Sequence, residues 1–407
     1  MSVVSREGIE TSSDLIQNRR VPVILKPGKD KAVRNKHHWI FSGAVARLPE
    51  FEDGDILAVE SSRGELLGEA YFNRRCSIIG RMLSFDRTPG REAVRDNLER
   101  AAAERRAFFD ESTDAYRLVN AEGDGLPGLI VDRYGEVLVL QIATLGMERL
   151  RPFILECLGR VAPSRAVYEK SCLPARREEG LEDFEGLLAG DLPPEVRIRE
   201  NGFPFVIDII RSQKTGFYLD QREMRRLVGR LSRGKRVLNA FSYTGGFSVY
   251  ALHGRAERTV SVDTSGPALE LARTNLTLNG FPPPEGDLIQ ADVFDYIRQV
   301  EPRAFDLIIL DPPAFAKKRS DVVQACRGYK DLNRLALGLL PAGGMLLTFS
   351  CSHFVDEALF RTVLFQAAAE AGRRVRILQR HRQSFDHPLN IYHPETEYLK
   401  GFLLYAD

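Results

Sequence analysis

The sequence predicts an α/β protein of three domains, in which a doubly wound, Rossmann-like parallel sheet occupies the C-terminal half. Three observations lead to this prediction. Strands and helices alternate after Ser212, short strands broken by Gly, Asp and Ser fill the first 90 residues, and a mixed pattern of helices and hairpins lies between them. A chain of 407 residues is also too long for one hydrophobic core. We therefore expect a β-barrel domain at 21–90, a middle α+β domain at 91–211 and the α/β domain at 212–407.

The β barrel is predicted from three short strand-like runs, which are Ile56–Val59, Leu66–Phe72 and Ile78–Leu83. Glycine, aspartate and serine separate these runs, as expected for tight connections between short strands. The barrel should end near Phe85.

A basic stretch precedes the barrel strands. It holds seven Lys or Arg residues and one Asp between Arg19 and Lys36, and Trp39 follows closely. Such a stretch can follow a phosphate backbone while an aromatic ring stacks on a base, which makes Lys29, Lys31 and Trp39 candidate RNA contacts. A solvated, charged face accounts for the same residues, and charge alone does not separate the two interpretations.

The middle region combines one helix with several strands. A charge-rich helix is expected over Arg91–Asp110, and Gly128–Leu140 reads as two strands around a glycine turn. A further hairpin joins 195–200 to 203–210 through Asn201-Gly202, the dipeptide that type I′ turns prefer because both central residues need a positive φ. The region is therefore α+β.

The C-terminal region alternates strands and helices, which implies parallel strands joined by crossover helices. The expected strands are Arg236–Phe241, Thr259–Asp263, Asp287–Asp292, Phe305–Asp311, Gly344–Ser350 and Tyr398–Tyr405. Two of the expected helices are Ala268–Leu278 and Glu357–Ala371, and the second repeats apolar residues at helical spacing.

Three strand ends carry residues suited to a nucleoside ligand, because ligands of doubly wound sheets bind beyond the carboxyl ends of the strands. The segment 239–247 follows the first strand, and its paired glycines let the backbone approach a ligand at a helix start. Asp263 ends the second strand and can accept hydrogen bonds from ribose hydroxyls, while Asp292 ends the third and can meet an adenine amino group. The candidate contacts in this set are Asn239, Phe241, Gly245, Asp263 and Asp292.

Several other classes of protein are disfavoured. The glycines lack the spacing of a dinucleotide-binding loop, which argues against NAD. The five cysteines are scattered without a CxxC pair, so neither a disulfide framework nor a metal site is expected. The polar segment Met1–Arg20 has no secretory signal, and no apolar run is long enough to cross a bilayer, so a cytoplasmic protein without membrane association is expected.

Three segments in the C-terminal region resemble those of the RlmI-type large-subunit rRNA cytosine-C5 methyltransferases, a class I family that uses S-adenosylmethionine. They are Lys214–Arg222 (KTGFYLDQR), Asp311–Phe315 (DPPAF) and Phe349–Ser352 (FSCS). Upstream, Trp39–Gly43 lies where that family carries a PUA domain, and Asn120–Gly128 is similar to the start of its middle domain. The resemblance runs from about Val21 to the C-terminus.

The resemblance implies S-adenosylmethionine as cofactor and rRNA as partner. It further implies that Phe217 and Tyr218 help to enclose the cofactor, that Asp263 holds the ribose and that Asp292 faces the adenine. One departure is visible, because many class I enzymes place an acidic residue where Asn239 stands. A purely structural Asn239 that caps the strand end remains open, and so does the oligomeric state, with a homodimer as one option.

Carbon 5 of cytosine is a poor nucleophile, and an enzyme can activate it by adding a thiolate at carbon 6. Cys351 lies just after a buried strand and is the candidate for that thiolate, although most cysteines in such positions are small buried hydrophobes. Asp311 ends the fourth strand before two prolines, where a carboxyl can bind both the cofactor region and the N3 edge of a flipped cytosine. Lys317 and Lys318 follow and are candidate phosphate contacts.

Other interpretations remain open from the sequence. The base that removes the carbon-5 proton is unassigned, with His353 as a nearby candidate. Ala314 stands where amino-group methyltransferases usually place an aromatic residue, which argues against nitrogen methylation. The alternatives are methylation of guanine or of another RNA, and a non-catalytic RNA-binding factor of ribosome assembly.

Overall fold

The computed structural model describes residues 21–212 and 214–407, and their strands form four sheets. Segment 1–20, on which the expectation about secretory signals rests, lies outside the described residues. It includes Arg19 and Arg20, the first two residues of the basic stretch. The sheets use consecutive sections of chain in the order expected from the sequence. The domain limits at 90 and 211 stay predictions.

The first sheet has six strands. Its elements are β1 Val23–Leu25, α1 Lys31–Arg34, β2 Trp39–Phe41, β3 Val45–Arg47, β4 Ile56–Glu60, β5 Leu66–Phe72 and β6 Ile78–Met82. The strand order is β2-β6-β5-β4-β1-β3, so β2 and β3 form opposite edges although only the turn Ser42–Ala44 separates them in the chain. This short turn keeps the end of β2 near the start of β3, so the two edges approach each other as the predicted β barrel requires.

The middle region contains a five-stranded sheet with helices against it. Its elements are α2 Gly90–Phe108, β7 Ala115–Asn120, β8 Leu129–Tyr134, β9 Val137–Ile142, α3 Leu145–Val161, β10 Ala166–Ser171, α4 Pro174–Glu178 and β11 Phe184–Gly190. The order is β11-β10-β9-β8-β7, and α3 makes the crossover between the parallel strands β9 and β10. The expected turn between β8 and β9 contains Gly135 at φ +59°.

A two-stranded hairpin follows, with β12 at Val196–Glu200 and β13 at Phe203–Ile207. Its turn residues Asn201 and Gly202 have φ values of +51° and +83°, which confirms the turn predicted from the dipeptide. The hairpin packs on the C-terminal region, where Asn275 accepts a hydrogen bond from the Val206 amide at 2.8 Å.

The C-terminal region is a seven-stranded sheet. Its elements are α5 Arg222–Leu231, β14 Arg236–Ala240, α6 Gly246–His253, β15 Arg258–Asp263, α7 Gly266–Leu278, β16 Leu288–Gln290, α8 Val293–Gln299, β17 Leu307–Leu310, α9 Val322–Leu339, β18 Gly344–Ser350, α10 Glu357–Glu370, β19 Val375–His381 and β20 Lys400–Ala406. The order is β16-β15-β14-β17-β18-β20-β19, parallel as far as β18, with β20 antiparallel between β18 and β19.

Both faces of this sheet are covered, as a doubly wound fold requires. Side chains of β14, β17 and β18 alternate between one core that includes α9 and α10 and another that includes α5 and α6. The chain reverses direction across the sheet between β14 and β17, so the ends of these two strands mark the expected ligand crevice. Among the described helices, none combines the length and hydrophobicity needed to cross a bilayer.

Candidate active site

The loop after β14 has an unusual backbone. Phe241, Tyr243 and Gly245 all have positive φ values, of +61°, +47° and +78°. The first two are not glycines, and such conformations persist only where the surroundings hold them in place. Asp263 at the end of β15 supplies that support, since its carboxylate accepts hydrogen bonds from the amides of Tyr243 at 2.8 Å and Ser265 at 2.9 Å.

Several buried polar atoms around this loop lack partners among the described residues. They are Ser242 Oγ, Thr244 Oγ1 and Asn239 Oδ1. Buried polar groups are almost always hydrogen-bonded, so the three atoms mark a place where a polar ligand fits. Gly245 is the N-cap of α6 and has a left-handed backbone conformation. A Cβ at this position would lie 3.0 Å from the Cβ of Ala272. The loop therefore suits a nucleoside with several donors and acceptors.

The candidate cofactor residues around the loop have different environments. The side-chain amide of Asn239 donates to Ser248 Oγ at 2.9 Å. This bond connects β14 to α6, as a structural residue would. Both oxygens of Asp263 hold backbone amides, yet each carboxylate oxygen can accept a second hydrogen bond. Asp292 is exposed and caps α8 by accepting from the Phe294 amide at 2.8 Å. Their contacts with a cofactor stay predictions.

The segment that begins at Lys214 forms a second wall of the crevice. Lys214 itself has a φ of +52°, and its ammonium lies 4.6 Å from the centre of the Tyr218 ring. The Tyr218 ring meets the Tyr243 ring edge-on at 5.1 Å, so this segment touches the loop after β14. Phe217 is only 6% exposed and lies beneath the Arg225 guanidinium, so its ring belongs mainly to the core.

Asp311 and Cys351 stand at the ends of neighbouring strands. Gln221 donates to Asp311 Oδ1 at 3.0 Å, and the Cys351 sulfur lies 3.9 Å from the carbonyl oxygen of Pro312, the residue after Asp311. Burial, together with the nearby Asp220 carboxylate, raises the pKa of Asp311 to about 7. Burial also raises the pKa of the Cys351 thiol to about 11, while the Lys214 ammonium acts against that rise. The pair thus combines a mostly protonated thiol with a carboxyl that titrates near neutrality.

Sequence reasoning missed two charged residues beside this pair. Lys400 begins β20 and donates to the carbonyls of Ser352 at 2.7 Å and Tyr398 at 2.8 Å, and burial lowers its pKa to about 8. Asp220 is 6% exposed, accepts from the Tyr398 hydroxyl at 2.6 Å, and has a second oxygen without a partner among the described residues. Asp220 stands within the segment 214–222, but Lys400 reaches the site only because β20 pairs with β18.

The middle region closes the far side of the site. A cavity of about 540 Å³ separates the five-stranded sheet from the C-terminal region, and four cationic or basic side chains line it together with Tyr218 and Asp220. The four are Arg117, Lys170, Lys214 and His387. Positive charge around a crevice suits an anionic polymer whose nucleotide enters it.

The candidate RNA contacts lie apart from one another. Lys29, Lys31, Lys317 and Lys318 are all exposed. Trp39 is partly buried, since its indole N–H donates to Glu122 at 2.9 Å and its ring meets His393 edge-on at 4.5 Å. These contacts join the barrel to the two later regions, and base stacking by Trp39 stays a prediction. His353 is exposed and contacts the Phe354 ring, and a role as proton acceptor likewise stays a prediction.

Two family models match the chain. Residues 176–389, more than half of the chain, match the model of an S-adenosylmethionine-dependent methyltransferase. Residues 23–85 match a PUA-like domain. The second match spans all six strands of the first sheet.

Curated relatives match along nearly the whole chain. Ribosomal RNA large subunit methyltransferase I of Photobacterium profundum is 41% identical over 401 residues, which cover 94% of this chain and 99% of that protein. The protein of the same name from Erwinia tasmaniensis is 42% identical over 390 residues, which cover 94% of this chain and 98% of that protein. The one from Escherichia coli O139:H28 is 40% identical over 391 residues, with the same shares covered.

Solved structures share the architecture. A candidate S-adenosylmethionine-dependent methyltransferase from Streptococcus mutans superposes with a TM-score of 0.80 at 24% identity, covering 95% of this chain and all of that one. SMU.776, a candidate methyltransferase in complex with SAH, gives a TM-score of 0.81 with the same identity and coverage. At this level of identity, the likeness shows the fold alone.

Proposed function

Because the chain belongs to the family of S-adenosylmethionine-dependent ribosomal RNA large subunit methyltransferases, we propose that it methylates carbon 5 of a cytosine in that rRNA through a covalent adduct with Cys351. The observation that carries this proposal is the juxtaposition of Cys351 with Asp311 at the ends of β18 and β17. A thiol in that place has no evident purpose in nitrogen methylation, which needs no nucleophile from the enzyme.

The cofactor is held, in this proposal, by the loop after β14 and the two neighbouring strand ends. S-adenosylmethionine supplies an electrophilic methyl group when it is bound. Ser242 and Thr244 offer buried hydroxyls that have no partner within residues 21–212 and 214–407, and Asp263 has acceptor capacity left for ribose hydroxyls. Tyr218 and the adjoining Lys214 cover the crevice from the other side.

The nucleophile must first lose its proton, because a thiol with a pKa of about 11 is almost entirely protonated at neutral pH. Asp311, with a pKa of about 7, is a neighbouring group that can take the proton when it is ionised. The Cys351 sulfur then bonds to carbon 6, and Asp311 passes the proton to N3 of the cytosine, so that carbon 5 becomes nucleophilic. Once carbon 5 has gained its methyl group, water accepts the carbon-5 proton, and the Cys351 thiolate leaves carbon 6 as the ring double bond is restored. The proton on N3 then returns to Asp311, so that the methylated cytosine leaves neutral.

RNA recognition is assigned to the PUA-like domain and to the exposed lysines. The relatives carry large-subunit rRNA in their names, and the exposed side chains of Lys29, Lys31, Lys317 and Lys318 can pair with phosphates. A cytosine must leave its stack to reach Cys351, and in this proposal the cavity beside Tyr218 receives part of the flipped nucleotide. None of the five cysteines forms a disulfide, which agrees with a cytoplasmic site of action.

The test uses RNA that carries 5-fluorocytosine at the target position. Fluorine on carbon 5 cannot leave as a proton, so the wild-type adduct should persist as a complex that survives denaturing gel electrophoresis. Cys351→Ser should form no complex and should lose methylation by several orders of magnitude, yet still bind S-adenosylmethionine. Cys326→Ser is the matched control, because Cys326 is another partly buried thiol on α9, and this variant should behave as wild type.

If Cys351→Ser is trapped as well as wild type, the carbon-5 mechanism is wrong, and methylation of guanine or of another RNA becomes the better account. An RNA-binding assembly factor without catalysis would give a different result again. Such a protein should neither form the complex nor show saturable binding of S-adenosylmethionine in a calorimetric titration.

A further inference from the structure

A histidine-rich cluster lies where the PUA-like domain meets the C-terminal region, away from Cys351. His37 lies two residues before the start of β2, while His393 and Glu395 belong to the connection between β19 and β20. The imidazole rings of His37 and His393 have their centroids 4.3 Å apart. One carboxylate oxygen of Glu395 faces Nε2 of both histidines, at 3.4 Å from His37 and 3.9 Å from His393.

These separations approach those of ligands around one metal ion. The three ligand atoms lie within 4.8 Å of one another. Tetrahedral Zn²⁺ with bonds of about 2.0 to 2.2 Å places its ligand atoms about 3.3 to 3.6 Å apart, so a small inward movement of His393 would complete the geometry. Two imidazoles and a carboxylate are also a donor set that Zn²⁺ accepts, with a fourth position left for water.

The second observation is an imidazole without partners. His393 is 1% exposed, and neither of its ring nitrogens has a hydrogen-bond partner among the described residues. A buried polar group in this state is costly, and a metal bond to Nε2 would remove part of the cost.

We propose that His37, His393 and Glu395 bind one divalent transition-metal ion of the Zn²⁺ class and thereby clamp the PUA-like domain to the C-terminal region. Glu395, with 39% of its side chain exposed, leaves an open side where water completes the coordination. The sequence expectation of no metal rested on cysteine spacing, whereas His37 lies more than 350 positions from His393 and Glu395 and meets them only in the fold.

Metal binding should change the environment of Trp39. The backbone amide of Trp39 donates to His37 Nδ1 at 3.2 Å, which keeps the ring proton on Nε2 facing Glu395. A metal bond at Nε2 requires the other tautomer of His37, in which the ring proton moves to Nδ1 and the Trp39 amide loses its acceptor. Trp39 is the only tryptophan of the chain, and its ring lies 4.5 Å from the His393 ring.

The experiment uses the full chain after removal of metals with a chelator. Titration with Zn²⁺ in a calorimeter should give one ion per chain, and titration with Co²⁺ should quench the tryptophan emission with the same stoichiometry and produce the visible absorption of a tetrahedral site. His393→Gln and Glu395→Gln should each weaken binding by about tenfold or more, and both should keep wild-type affinity for S-adenosylmethionine. His253→Gln, the same change at an exposed histidine on α6, is the control and should bind Zn²⁺ as wild type does.

Wild-type Zn²⁺ affinity in both Glu395→Gln and His393→Gln would overturn the proposal, since the ion would then be held elsewhere. Failure of the wild-type chain to bind either ion would overturn it too. Glu395 stands at the exposed rim, so its variant should fold even if the His393 variant does not. Neither result depends on methyl transfer, which separates this proposal from the proposed function.

Discussion

Asp386→Asn should destabilise the protein because Asp386 is the buried counter-charge of Arg222. Asp386 is fully buried and accepts hydrogen bonds from the Arg222 guanidinium at 3.0 Å and from the Arg117 amide at 2.9 Å. Arg222 is 1% exposed, and its other carboxylate neighbour, Glu200, lies 3.4 Å from Nε. Arg222 and His387 hold the pKa of Asp386 well below its usual value against the opposing effect of burial.

Removal of one member of a buried ion pair costs about 3 to 5 kcal/mol, because the remaining charge stays desolvated. The asparagine keeps one acceptor oxygen and Glu200 remains close, so we expect a loss near the lower end, about 3 kcal/mol. With a urea m-value of about 3 kcal/mol/M, the unfolding midpoint should fall by about 1 M. Circular dichroism during urea titration measures this midpoint.

Asp191→Asn is the matched control. Asp191 pairs with Arg165 at 2.6 Å, but its side chain is 77% exposed. Exposed pairs contribute about 0 to 1 kcal/mol, so the control should unfold close to the wild-type midpoint. Equal midpoints for the two variants, or a loss below about 0.5 kcal/mol for Asp386→Asn, would refute the argument that burial makes this pair essential.

Three further predictions concern the cofactor site, the RNA contacts and the reaction. Asp263→Ala should weaken S-adenosylmethionine binding by about 1 to 3 kcal/mol, because the Tyr243 amide and the ligand lose an acceptor. Unchanged affinity in a calorimetric titration would remove Asp263 from the site. Charge reversal at Lys29 and Lys31 should lower RNA affinity and flatten its salt dependence with cofactor binding unchanged, and an unaltered salt slope would assign both lysines to a solvated face. The rate of adduct formation with 5-fluorocytosine RNA should rise with pH through about 7, where Asp311 ionises and can accept the thiol proton. A rate that falls over that interval would show that Asp311 acts in its protonated form.

Local patterns explain why much of the fold was predictable. The Asn201-Gly202 turn depends on the φ preferences of two adjacent residues, and the structure has it as expected. The strand expected over 287–292 is shorter and covers Leu288–Gln290. It is an edge strand that pairs only with β15, and Asp292 is the N-cap of α8 instead of a strand residue. Strand ends are less predictable than strands, since tertiary pairing decides where a strand stops.

Contacts between distant parts of the chain were not predictable in the same way. Lys400 carries no local mark of a site residue, and only the antiparallel pairing of β20 with β18 brings it to Ser352. The sequence also offered Trp39 as a free aromatic ring, but Glu122, which accepts the indole N–H, is 83 positions away. Such partners require knowledge of how whole domains pack.

The position of β20 determines the order in which the site can be assembled. β18 and β19 are both synthesised before β20, which then inserts between them and pairs with each. Until then β18 has an open edge, which is prone to pair with another chain, and Cys351 lacks the neighbouring Lys400. The PUA-like barrel consists of local, early-made strands and can fold while synthesis continues. Under the proposed function, a growing chain should thus acquire its RNA-binding domain before Cys351, the proposed nucleophile, acquires its finished surroundings.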